Sequence, residues 1–108
     1  MDKEKKVGDV LRAERHRVQY RDDDKVYILV TFNEEDQPVE VFANFSFTHD
    51  HQTFYTHSAW EAITRLTSKC LMTLGLEETI QQLERSSLNK RDAPGILASV
   101  LKQYLPVQ

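Results

Sequence analysis

The sequence predicts an α+β fold. An antiparallel sheet of three to four strands comes first, and three helices follow it and pack on one of its faces. Three observations lead there. Three strand-like runs stand before residue 46, separated by short polar turns. The apolar period changes from two to three or four near residue 58. Strands and helices do not alternate along the chain, which excludes a parallel sheet wound with crossover helices.

"RHRVQYR", Arg15 to Arg21, opens the strand region. Arg15, Arg17, Gln19 and Arg21 fall on one side, and His16, Val18 and Tyr20 on the other. "DDDK" makes a polar turn. "KVYILVTF", Lys25 to Phe32, is almost continuously apolar and rich in β-branched and aromatic residues. It reads as a central strand buried on both faces. "NEEDQP" turns the chain again, and "VEVFANF", Val39 to Phe45, is the third strand. Short connections between three strands make a meander.

Ser58-Ala-Trp-Glu61 reads as a capping box that opens the first helix. Trp60, Ile63, Leu66, Cys70, Leu71 and Leu74 follow as its buried stripe. Gly75 stands where a left-handed residue ends a helix. "LEETIQQLERS", Leu76 to Ser86, restarts at once, with Glu77 and Glu78 at the positive end of its dipole. Asp92 caps the third helix, Pro94 sits in its first turn, and Pro106 stops it. Residues 1–6 are nearly all charged and read as a disordered tail, leaving 7–108 as a single domain.

Composition narrows the function classes. The net charge is −3 and the pI about 5.8. Duplex-binding domains usually exceed a pI of about 9, so overall charge argues against a duplex partner. One cysteine excludes an internal disulfide. The N-terminus lacks the apolar core of a signal peptide, and no run reaches the ~18 apolar residues of a membrane span. The expected setting is the cytoplasm, with no membrane partner.

The ordered pieces have a family likeness. "KVYILVTFNEEDQPVEVF" followed by "SAWEAITRLTSKCLMTLGLEETIQQLERS" resembles the TSCPD domain, the small C-terminal accessory domain of adenosylcobalamin-dependent (class II) ribonucleotide reductases. The likeness covers about Val7 to Leu105, here as a stand-alone chain. It implies a non-catalytic accessory module of nucleotide metabolism with no reductase active site. Two departures stand out. The Thr-Ser-Cys-Pro-Asp string appears here as Arg91-Asp92-Ala93-Pro94-Gly95, so chemistry tied to its cysteine is absent. The Gly-rich stretch before the first helix is replaced by "FSFTHDHQTFYTH".

That segment holds three of the four histidines, His49, His51 and His57. Zinc accepts such imidazoles, but strong zinc patterns place short ligand pairs on both sides, and only one pair is present. A polar hairpin is the commoner reading, and metal binding stands as an alternative. Thr56, His57 and Ser58, at the start of a helix, could present donors to a phosphate. Arg65 could hold a phosphate or a carboxylate such as Glu40. Lys90 and Arg91 stand where the family string begins. The arginines of the first strand read first as a solvated face and second as an anion surface. Phe45, Phe47, Phe54, Tyr55 and Trp60 are either sheet–helix core, a platform for a base, or an oligomer interface.

No nucleophile elbow, P-loop or dinucleotide fingerprint is present, so the expectation is a non-enzyme without a cofactor. The leading expectation is a homo-oligomeric module that binds a nucleotide through His49, His51, Tyr55, Thr56, His57, Ser58, Arg65, Lys90 and Arg91. It would serve a ribonucleotide reductase, or act on a host protein or nucleotide signal as small phage proteins do. The rival is a protein-interaction module or inhibitor with no small ligand.

Overall fold

The computed structural model describes residues 10–21, 24–46 and 53–106, with the side chains of 21, 46 and 53–55 outside that description. Three strands, β1 (Ala13–Arg21), β2 (Asp24–Phe32) and β3 (Pro38–Ser46), precede three helices, α1 (Thr53–Leu74), α2 (Leu76–Ser86) and α3 (Ala93–Lys102). The sheet order is β1-β2-β3 and both pairings are antiparallel. This is the predicted α+β class, with three strands among the described residues. The expected tail falls outside them.

Alternation sets the sheet's two faces. Val26, Ile28, Val30 and Phe32 of β2 are buried, with Val39 and Val41 of β3 beside them. All of these but Val39 join Trp60 and Leu71 of α1, Ile80 and Leu83 of α2, and Ile96, Leu97, Val100 and Leu101 of α3 in one core cluster. The reading of β2 as buried on both faces is corrected. Lys25, Tyr27 and Leu29 point to the other face and are only half-buried. Thr31 on that face is buried, but among the described residues the helices form a single layer on the opposite face, so this face is open. An apolar run alone cannot tell one-sided burial from two-sided.

The β2–β3 turn is built by Asn33. Its side-chain oxygen accepts from the amides of Glu35 and Gln37, each at 3.0 Å. Asp36 takes φ 61°, a left-handed conformation that aspartate tolerates better than most residues.

The α1 start differs from its prediction. The helix begins at Thr53, so Ser58 and Glu61 lie inside it and form no capping box. No glycine or proline interrupts residues 53–58. Once a helix is nucleated each further residue adds a bond cheaply, so it extends back past Ser58. The predicted stripe is also rotated. Trp60, Thr64, Thr67 and Leu71 are buried, whereas Leu66 is 68% and Leu74 53% exposed. Thr64 reaches the core because its hydroxyl donates to the Trp60 carbonyl at 2.9 Å, which hides its polarity. Ile63 and Cys70 are half-buried between the two stripes.

Gly75 joins α1 to α2 with φ 87° and ψ 176°. The expected positive φ is present, in a region that L side chains rarely adopt. Its amide donates to the Leu71 carbonyl, and its own carbonyl receives the Thr79 amide. One residue therefore ends one helix and starts the next.

Asp92 opens α3 as predicted. Its carboxylate accepts from the Gly95 amide at 2.8 Å, the Ser87 hydroxyl at 2.7 Å, and the Leu88 and Asn89 amides at 2.6 and 3.1 Å. Burial alone would raise this carboxyl, but the four donors overcome it and pull the pKa to about 2.

The chain end is tied back to β1. The Tyr104 hydroxyl donates to Glu14 and contacts His16 Nε2, both at 2.5 Å. Its single proton goes to Glu14, so the His16 nitrogen carries the proton in that contact. Burial, then the Glu14 bond, pushes the phenol above its ordinary pKa. The Tyr104 bond, aided by Arg12, holds Glu14 below the usual carboxylate range.

Candidate functional site

The outer edge of β3 is where strand meets helix. Ser68 Oγ accepts from the Val41 amide at 3.0 Å and donates to the Val41 carbonyl at 3.1 Å. Val41 therefore turns its backbone polar groups away from β2. Antiparallel alternation gives Ala43, two residues on, the same orientation. Its N–H and C=O open outward, with no partner among the described residues.

Between β3 and α1 lies a groove of about 880 Å³. Glu40, Phe42 and Asn44 line it from the open-face side of β3. From α1 come His57, Glu61, Arg65 and Lys69, with Thr64 and Ser68 deeper between the two walls. The four outer side chains recur every fourth residue, which places them on successive turns along one flank of the helix. The His57 ring stacks on Phe45, with centroids 4.3 Å apart and planes at 24°. Phe45 in turn meets Trp60 edge-on at 5.9 Å, so the groove wall rests on the core.

Electrostatics here are mixed. Arg65 pairs with Glu61 at 3.0 Å, and both side chains are largely exposed. An exposed pair of this spacing is worth about 0.3–0.5 kcal/mol, so the glutamate holds Arg65 only weakly. Glu40 accepts from the Thr31 hydroxyl at 3.2 Å and is not the partner of Arg65.

The structure brings together His57 and Arg65 of the predicted residues. Thr56 and Ser58 flank His57 on α1. Because the helix starts at Thr53, the amides of 56–58 lie within its ladder and are not available to a phosphate. His49 and His51 lie outside the described residues, as does the Tyr55 side chain. The metal alternative falls on that segment; among the described residues no group of three metal-binding side chains gathers. Lys90 and Arg91 are exposed on the α2–α3 loop, and Lys90 borders a different, smaller hollow of about 370 Å³. Of the aromatic cluster, Trp60 belongs to the core and half-buried Phe45 packs against it, whereas the side chains of Phe47 and Phe54 fall outside the description. Lys69, Phe42, Asn44 and the Ala43 edge were not anticipated. The four-residue spacing from His57 to Lys69 is the signal that could have found Lys69.

Among the described residues no helix is long and apolar enough to cross a membrane. A family model described as the TSCPD domain matches residues 3–105. Neither a curated protein nor a solved structure matches the chain.

Proposed function

The chain belongs to the TSCPD domain family, and from that premise we propose that it is a non-catalytic binding module of nucleotide metabolism whose β3–α1 groove takes a phosphate-bearing nucleotide. The observation that carries this reading is one juxtaposition. A backbone donor–acceptor edge at Ala43 shares a groove with the side chains of His57, Arg65 and Lys69. A nucleobase has a matching donor–acceptor edge, and Phe42 offers it an apolar surface, 46% exposed. Phosphates suit Arg65 for its planar fork and Lys69 as a point charge. The hydroxyls of Thr64 and Ser68 in its lining are donated to the backbone carbonyls of Trp60 and Val41, which favours binding over turnover.

This assigns the phosphate to side chains rather than to the helix terminus. It is consistent with service to a ribonucleotide reductase, and equally with trapping a nucleotide signal. Calorimetric titration with mono-, di- and cyclic nucleotides tests it. At least one class should bind, and Arg65→Ala with Lys69→Ala should weaken it by about 10-fold or more, the size of one or two lost charge-assisted contacts. No heat with any member of the panel would sink the reading.

A second reading has its own observation. Leu66 and Leu74 stand out from α1 beside half-buried Ile63 and Cys70. That apolar flank suits a homo-oligomer contact or a partner protein, including a reductase or a host target.

A further inference from the structure

The open face of the sheet is a lattice with a chemical pattern. Register aligns Arg15, Leu29 and Phe42 in one row across the three strands, and Arg17, Tyr27 and Asn44 in the next. Lys25 follows Tyr27 on the same face of β2. Arg15, Arg17 and Lys25 make no ion pair among the described residues. The Arg15 guanidinium lies over the Tyr27 ring, 4.6 Å from its centre. Glu40 is the one carboxylate of the described residues on this face of the strands. The whole chain is nevertheless net negative at −3. Positive charge is thus concentrated where two aromatic rings are also displayed.

We propose that this open sheet face binds a single strand of nucleic acid, laid across the strands from the groove toward β1. Arg15, Arg17 and Lys25 would hold phosphates, and Phe42 and the ring face of Tyr27 that Arg15 leaves uncovered would stack bases. The inference extends the groove reading through the shared Phe42 but rests on residues the groove lacks. Phe42 and Tyr27 are diagonal neighbours on adjacent strands, about 7–8 Å apart. That spacing suits splayed bases and not the stacked pairs of a duplex. The aromatic rings separate this partner from an acidic peptide, which needs only the cations. A second copy of the chain fits worse, since two such faces would bring like charges together.

Anisotropy titrations of a labelled single-stranded oligonucleotide against the full chain test the proposal, with a mononucleotide, a duplex and an oligoglutamate of equal charge as comparisons. The single strand should bind most tightly. Three phosphate contacts give a log–log salt slope of about −2, a loss of roughly 20-fold between 50 and 200 mM salt. Arg15→Ala with Arg17→Ala should flatten that slope by about 1.4 and leave any mononucleotide binding in the groove unchanged. Phe42→Thr should weaken the oligonucleotide by about 5- to 100-fold. Circular dichroism melts confirm that each variant folds, and Arg17→Ala alone, at an exposed position, serves if the double variant does not. Four results would overturn the proposal: no oligonucleotide binding, equal binding of oligoglutamate, no effect of the arginine pair, or a dimer that Phe42→Thr dissociates. If only the arginine pair is silent while nucleotides still bind, the groove reading survives and the sheet-face reading does not.

Discussion

Asp92 shows what a single side chain can organise. It gathers the Ser87 hydroxyl and the amides of Leu88, Asn89 and Gly95, and so fixes both the loop after α2 and the first turn of α3. The family string, Arg91 to Gly95 here, spans this helix start, and of its residues the proline alone is kept. Asp92 is the cap, Pro94 sits in the first turn, and Ala93 fills the cysteine position half-buried. Asp92 titrates at about 2 in the folded chain against 3.8 for an ordinary aspartate. Its depressed pKa contributes stability above pH ~4 that is lost as the pH falls through about 2. Melts of Asp92→Asn should be lower than wild type at neutral pH, and the two curves should converge between pH 4 and 2. Parallel curves would contradict this. Two glycines offer a companion test of strain against space. At Gly75 a methyl group meets nothing within 4 Å, so Gly75→Ala costs backbone strain alone, about 1–3 kcal/mol. At Gly95 the same methyl lies 2.7 Å from the Asn89 carbonyl and 2.9 Å from the Asp92 carboxylate. Gly95→Ala should therefore disturb the cap itself, and its melt should lose the acid dependence that Gly75→Ala retains.

The helices show how far sequence patterns reach and where they stop. The α2 helix is found from Leu76 to Ser86 as the sequence indicates, because Gly75 marks its start and the apolar positions repeat cleanly. For α1 two local signals mislead. Ser58-x-x-Glu61 has the spacing of a cap, yet the same spacing occurs inside any helix. Threonine reads as polar, yet Thr64 and Thr79 bond their hydroxyls to carbonyls four residues back and enter the core. The groove was illegible for a different reason. It joins residues far apart in sequence, and nothing local marks Ala43 as an open edge. Ser68 is the hinge of that arrangement. Replacing it with alanine strands a part-buried N–H and C=O on Val41. The expected loss is about 1–3 kcal/mol, read in urea unfolding, with early hydrogen exchange at Val41. An unchanged midpoint would mean that water replaces the hydroxyl freely.

The molecule presents three distinct surfaces: a groove on one edge of the sheet, an open basic–aromatic face, and an apolar flank on α1. The flank is the surface to test for self-association, since exposed Leu66 and Leu74 stand there beside half-buried Ile63 and Cys70 as one apolar patch. Light scattering should give an oligomer for the natural chain, and Leu66→Glu with Leu74→Glu should yield a folded monomer. A monomer from the outset would assign the flank to another protein. Because both leucines are already solvent-facing, the double variant should melt within about 0.5 kcal/mol of wild type once dissociated.

The Ser68–Val41 bonds also bear on how the protein behaves when crowded. Among the described residues the sheet has three strands and so two margins, and each is a template on which a further strand can add. On the β3 margin the helix hydroxyl occupies one such pairing position, and α1 stands over the approach. On the β1 margin Arg15 and Arg17 would confront the same arginines of an incoming copy. Strand addition is thus hindered at both margins and left open on β3 at Ala43 alone of the two outward positions described.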